Sequence, residues 1–138
     1  MIEATGQRGR ENGSAIAEFV MVAGLVLLVG MAVFQLGIAL YVRNTLIASA
    51  SEGARYGARF DAVPGDGVAR TRELITSAVG TSFAGDVSAS TGTTGAGVQV
   101  VEVTVRAPLP VLGPIGPSGA LTVSGRAFRE SQVVGGPP

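Results

Sequence analysis

The feature that most constrains this chain is an uncharged run from Phe19 to Val42, in which Gln35 is the one strongly polar side chain. A helix needs about 20 apolar residues to cross the hydrocarbon core of a bilayer, so the run is long enough to span. A soluble buried helix of this length would be expected to keep a polar stripe, and this run has none. The sequence therefore predicts a membrane-spanning helix.

A cleaved signal peptide is the alternative interpretation of the same run. Arg8 and Arg10 would be its basic region, and Ala48-Ser49-Ala50 matches the small-residue pattern of a cleavage site. The apolar region of a signal peptide is usually about 7–15 residues, however, and this run is far longer. A retained span is therefore favoured. Arginines and glutamates flank both ends of the run, so the distribution of positive charge does not orient the helix.

Composition argues against catalysis and against nucleic-acid binding. The net charge is zero, and the sequence contains no histidine, cysteine or lysine, the usual general bases, nucleophile partners and metal ligands. Asp61 and Asp66 flank a turn without the spacing of a calcium loop, and we expect them to cap a helix start. We therefore predict no enzymatic activity, no cofactor or metal site and no small-molecule substrate.

Two sets of residues are candidates for contacts with other proteins. Ala23, Gly30 and Gly37 are spaced by seven, which places them along one side of the helix, where small side chains let helices approach closely in lipid. The alternative is that glycine and alanine are simply common in this chain. Arg55 and Arg59 lie one turn apart and are candidates for contact with an acidic partner; a solvated helix face is the alternative.

The remaining patterns predict an α+β fold, with one long helix carrying a two- or three-stranded sheet. Helical periodicity continues past the run, so one helix is expected from about Ala15 to Phe60. The expected elements after it are a Pro/Gly break at 64–67, a helix Val68–Val79, a loop Thr81–Gly97, a strand Val98–Arg106 with a possible bulge at Val100-Val101, a broken connection Ala107–Gly119, a strand Ala120–Glu130 and a loose tail from Val133.

The heptapeptide Gly13-Ser-Ala-Ile-Ala-Glu18-Phe19 stands at the threshold of the run. It resembles the processing site of type IV prepilins. The resemblance implies that a membrane prepilin peptidase cuts between Gly13 and Ser14 on the cytoplasmic side. It also implies that Glu18 and Phe19 serve processing and assembly, and that the preceding residues are a polar leader.

Two further segments make the chain similar to the TadE-like proteins, minor pilins or pseudopilins of the tight-adherence (Tad/Flp) pilus system. These segments are Ala50-Ser-Glu-Gly-Ala-Arg-Tyr56 and, more weakly, Leu121-Thr-Val-Ser-Gly-Arg-Ala127. The resemblance implies a pilin-like fold, adhesion or secretion as the wider role, and other pilins and the assembly platform as partners. The implied organisation is a cytoplasmic leader 1–13, a span 14–42, an extension of the same helix 43–60 and an extracytoplasmic domain 61–138.

Two other functions fit the sequence. The first is a single-pass anchored binding module that is never assembled, and the second is a pseudopilin of a type II secretion piston. The mature N-terminus separates the first of these from a pilin, because a start at Ser14 requires the processing event.

Overall fold

The structure is a computed structural model that describes residues 4–111 and 119–130, with side chains from residue 11 onward. It is α+β, as expected. The elements are helix α1 (Ala4–Gly57), helix α2 (Pro64–Ala78), a single 3-10 turn (Thr81–Phe83) and strands β1 (Asp86–Thr93), β2 (Gln99–Pro108) and β3 (Ala120–Phe128). The chain divides into two compact units between Gly37 and Ile38.

The first unit is the N-terminal part of α1. The helix begins at Ala4, whereas the sequence pattern placed its start near Ala15, and it ends at Gly57 rather than Phe60. Within the described residues, α1 is the one helix long and apolar enough to cross a membrane; its most apolar window has a mean hydropathy of 2.5 and is not buried by the protein. Apolar side chains that face outward on this scale indicate lipid as their surroundings.

In the second unit, α2 begins earlier than expected because its first turn is well capped. Pro64 occupies the first turn, where its fixed backbone angle suits a helix and its missing N–H costs nothing. The Asp66 carboxylate accepts a hydrogen bond from the Val63 N–H at 2.9 Å. The expected capping role is therefore confirmed for Asp66. Asp61 instead lies 3.9 Å from the Arg59 Nε.

The sheet has three antiparallel strands in the order β1-β2-β3. The expectation of a loop over Thr81–Gly97 was wrong, because this segment contains the 3-10 turn and β1. Strand β1 is rich in small polar residues and lacks an apolar alternation strong enough to be recognised. Its pairing with β2 holds it in place, and Val87 buries its side chain.

The possible bulge at Val100-Val101 is also absent. Pairing is continuous across both residues, with Val100 opposite Gly92 and Phe128, and with Val101 opposite Ala127. Val101 faces the helices and is fully buried, whereas Val100 lies on the open face of the sheet. Two apolar residues therefore follow each other at 100 and 101 because Val100 is an apolar residue on the open face, and not because the strand contains an extra residue.

The core of the second unit lies between the sheet and the two helices. Its buried members are Val42, Leu46, Ala50, Ala54, Ile75, Ala84, Val87, Val103, Val105, Ala107 and Val123. Thr71 is fully buried among them, and its hydroxyl is satisfied by the Gly67 carbonyl at 2.8 Å, with the Ser49 carbonyl at 3.4 Å. The expected tail from Val133 and residues 112–118 of the expected connection lie outside the described residues.

Candidate processing and assembly segments

The heptapeptide Gly13–Phe19 is helical and lies on the surface of the first unit. Gly13, Ser14, Glu18 and Phe19 are all exposed, and the side chain of Phe19 is 72% accessible. Ser14 and Glu18 are four residues apart, so they share one face of the helix one turn apart. Among the described residues, no basic group lies within ion-pair distance of the Glu18 carboxylate. An acid with no ion-pair partner among the side chains that the structure describes is thus placed at the polar end of the candidate span.

The small residues of α1 show no packing partner in the part of the chain that the structure describes. A methyl group added at Gly30 or Gly37 would meet no atom within 4 Å, and Ala23 is half-buried. The proposed packing face is therefore open, and its use in helix contacts stays a prediction.

The segment Ala50–Tyr56 has a buried side that packs the second unit. Ala50 and Ala54 are fully buried in the core. Gly53 lies so close to α2 that a Cβ there would overlap the Thr71 hydroxyl and the Gly67 carbonyl. Gly53 therefore permits the contact between α1 and α2. The sequence analysis missed this role. Gly67, in the Pro64–Gly67 break, was an available sign that two helices approach closely there.

The exposed side of the same segment carries Arg55 and Tyr56, and Arg59 follows two residues after the end of α1. The Arg59 guanidinium carbon lies 5.4 Å from the centre of the Tyr56 ring, within the range of a cation–π contact, and its Nε lies 3.9 Å from an Asp61 oxygen. Arg59 thus has partners within the chain. Because it lies past Gly57, where α1 ends, it is not on the helix face that the sequence pattern indicated. Arg55 is exposed, and a role for the two arginines in partner contact stays a prediction.

The open face of the sheet carries a groove that the sequence did not predict. Glu102 and Arg126 are cross-strand partners, and their Oε2 and Nε atoms are 2.9 Å apart. The hydrogen bond from Arg126 lowers the pKa of Glu102, against an opposing effect of desolvation. A cavity of about 440 Å³ adjoins this pair, with Val100 and Phe128 among its apolar lining residues. Among the described residues, no three acidic side chains come together as a metal site.

Comparison with known proteins supports the resemblance over the first part of the chain. Residues 13–55, about a third of the chain, match the family model described as TadE-like protein. The match begins at Gly13 of the heptapeptide and extends through Gly53 to Arg55, so it includes most of the second motif. The similarity to TadE-like proteins is thereby confirmed for these residues. Comparisons with curated proteins and with solved structures found no match.

Proposed function

Since residues 13–55 are similar to TadE-like proteins, we propose that this chain is a minor pilin, or pseudopilin, of a Tad/Flp pilus. In this role it is a membrane-anchored structural subunit that acts in pilus biogenesis, surface adhesion or secretion, and it performs no catalysis. The observation that carries the proposal is the heptapeptide itself: it is exposed, it adjoins one candidate span, and the family match begins at its glycine.

The first step of the proposed pathway is removal of the leader. Prepilin peptidase cuts between Gly13 and Ser14, which leaves a new α-amine on Ser14. An α-amine has a pKa near 8, so this terminus is mostly cationic at neutral pH. Because the peptidase acts on the cytoplasmic side, residues 1–13 are cytoplasmic and the chain from Arg43 onward is extracytoplasmic. The membrane spans 14–42, and the helix extends outward over 43–60.

The second step is assembly beside other pilins on the assembly platform. The Glu18 carboxylate has no basic neighbour in the described part of its own chain. When the N-terminal segments of several subunits pack together, this carboxylate becomes buried, and a buried charge is costly unless it is paired. Glu18 of one subunit therefore pairs with the Ser14 amine of a neighbour. Desolvation offsets much of the attraction, so the pair acts mainly on register, because one stagger brings the two charges together.

The mature N-terminus tests the first step. Mass spectrometry of the native protein is expected to find a chain that starts at Ser14. An intact Met1, or a start near Ser51 as a signal peptidase would give, contradicts the proposal.

The Glu18 position tests the second step, with a control inside the leader. Glu18→Ala is expected to leave cleavage mostly intact and to reduce the incorporation of the protein into pili, or its recovery with other pilins. Glu11→Ala removes an acid that leaves with the leader, so assembly should be normal once cleavage has occurred. Equal assembly of the two variants would refute the pairing.

An anchored binding module that is never assembled is the second candidate. The groove beside Glu102 and Arg126 favours it, because a cavity on an open sheet face is a place where a ligand binds. This candidate requires no cut after Gly13, so the mature N-terminus separates it from the pilin. A type II secretion pseudopilin shares the cut and differs by its gene neighbours.

A further inference from the structure

We propose that strand β1 is a pairing site for a second copy of this chain, and that the two copies join their sheets edge to edge through antiparallel β1 strands. The surface that pairs is the outer backbone edge of Ala89, Thr91 and Thr93, which we call the free edge. It lies wholly within the second unit. The pairing goes beyond the proposed function and requires no cleavage at Gly13.

The backbone of alternate residues in β1 points away from the sheet. In an antiparallel pair, a residue that exchanges hydrogen bonds with the partner strand is followed by one whose N–H and C=O groups point to the other side. The Thr94 N–H donates to the Val98 carbonyl at 2.8 Å, so Thr94 faces β2. Because the register of β1 continues one to one from this pair, Gly92 and Ser90 also face β2. The N–H and C=O groups of the free edge therefore point outward.

Helix α2 approaches this side of β1 at one end. The Arg72 Nη2 donates to the Val87 carbonyl at 3.5 Å, which confirms that the alternate residues of β1 face outward. Within the described residues, no hydrogen bond from another element reaches the backbone of the free edge. Thr91 lies opposite the buried Val101 on the helix side of the sheet, yet Thr91 and Thr93 are both exposed. Helix α2 therefore leaves the free edge accessible.

The free edge lacks the features that keep exposed strands from pairing. Natural sheets protect their edges with charged side chains, prolines, bulges or a covering element. From Val87 to Val101 the sequence contains no charged residue and no proline. Pairing with β2 is also continuous over the whole of β1, without a bulge. An unprotected edge of this kind is a template for another strand.

The opposite edge of the sheet differs in both respects. Strand β3 carries the exposed Arg126, a charged side chain whose Nε lies 2.9 Å from the Glu102 carboxylate. Just past β3, the Glu130 N–H already donates to the Ala58 carbonyl at 3.0 Å. The features that discourage pairing are thus present at β3, which favours β1 as the strand that pairs.

A second copy of β1 fits because the free edge is symmetric about Thr91. In a two-fold pairing centred on Thr91, this residue lies opposite Thr91 of the second copy, and Ala89 lies opposite Thr93. Each opposed pair exchanges two backbone hydrogen bonds, which gives about six in all. The opposed threonines form a favourable cross-strand pair, and the uncharged sequence brings no like charges together.

The position of Arg72 also favours this centre. Arg72 contacts the edge at Val87, four residues before Thr91. At about 3.3 Å per residue, the two Val87 residues lie about 26 Å apart along strands that are centred on Thr91. A pairing centred on Val87 would instead bring the two Arg72 guanidinium groups together. Repulsion between like charges therefore selects the centre at Thr91.

Cysteine cross-linking of the full chain in detergent tests the alignment. The chain has no cysteine, so each variant carries a single thiol. Opposed residues that exchange hydrogen bonds have Cα atoms about 5.5 Å apart, a separation that a disulfide bridges. Thr91→Cys is therefore expected to form a disulfide dimer under mild oxidation. Thr122→Cys, the same substitution at an exposed position of β3, is the matched control and is expected to remain mainly monomeric on a non-reducing gel.

Charged variants at the same position test the contact between the two copies. Thr91→Lys and Thr91→Glu each place like charges opposite each other, so each is expected to raise the dissociation constant of the dimer about fivefold in sedimentation equilibrium. An equimolar mixture of the two variants opposes a lysine to a glutamate and is expected to restore association. This rescue separates edge pairing from damage to the fold, because mixing does not refold a misfolded variant.

Equal cross-linking of Thr91→Cys and Thr122→Cys would overturn the inference. Charged variants that dissociate no more readily alone than in the mixture would overturn it as well. Contacts between the membrane segments are common to all variants, so they do not alter these comparisons. Both measurements are made on the uncut chain, so the pilin proposal is tested separately by the mature N-terminus.

Discussion

Gly53→Ala is expected to weaken the second unit strongly for a change of one methyl group. The new Cβ would overlap the Thr71 hydroxyl and the Gly67 carbonyl, and the carbonyl is backbone that cannot turn away. Overpacking in a tight core costs about 1–3 kcal/mol, and the rigid neighbour favours the upper part of this range. Alanine recovers up to about 1 kcal/mol of helix propensity over glycine. The net loss is therefore about 2 kcal/mol, which is roughly a 30-fold change in the opening equilibrium.

Hydrogen exchange of the purified chain in detergent measures this loss, because protected amides of α2 and β2 exchange through opening of the unit. Gly65→Ala is the matched control: it is the same substitution in the neighbouring helix, where an added Cβ meets no atom within 4 Å. Exchange should accelerate about 30-fold in Gly53→Ala relative to this control. Equal exchange in the two variants would show that the close approach of α1 and α2 does not stabilise the unit.

Three smaller effects follow from single contacts. Asp66→Ala removes the cap of α2 and should lower the free energy of unfolding by about 1 kcal/mol, as measured by thermal unfolding. An unchanged midpoint temperature would contradict this expectation. The pKa of Glu102 is lowered by Arg126, so its contribution to stability is present above the ordinary value near 4.5 and is lost as pH falls through the lowered pKa. Glu102→Gln should therefore be destabilising at pH 7, by less than about 1 kcal/mol, and neutral in strong acid; a constant difference across pH would refute this. Val42→Ala should lower the stability of the second unit by about 2 kcal/mol, whereas Tyr41→Ala at the exposed neighbouring position should change that stability by about 0.5 kcal/mol or less. Equal effects would show that Val42 does not contribute to the core.

The sequence predicted the elements whose signals are strong and local. The uncharged run identified the candidate span, Asp66 was correctly expected to cap a helix start, and the alternation of β2 identified the central strand. The sequence analysis did not predict strand β1 because its residues are mostly small and polar, with a single buried valine. Its strand structure depends on pairing with β2, a contact between distant residues that a local pattern does not record.

The candidate segments show the same division. The exposure of Gly13, Glu18 and Phe19 followed from their place at the start of an apolar helix, so sequence reasoning located them. The role of Gly53 depends on Gly67 and Thr71, which lie 14 and 18 residues further on and meet it across two helices. The motif Ala50–Tyr56 could therefore be recognised from its residues alone. The packing role of its Gly53 becomes evident only when the position of α2 is known.

The last turns of the uncharged run serve two environments at once. Tyr41 and Leu40 are exposed, whereas Val42 and Ile38 pack against the core of the second unit. Lipid and a protein core both accept aliphatic side chains, so a hydropathy pattern continues without a break where one replaces the other. The first charged residue after the run, Arg43, therefore marks a change of polarity, and it does not mark where packing against the core of the second unit begins. Arg43 itself is exposed, whereas Ile38 already belongs to the second unit and packs against its core.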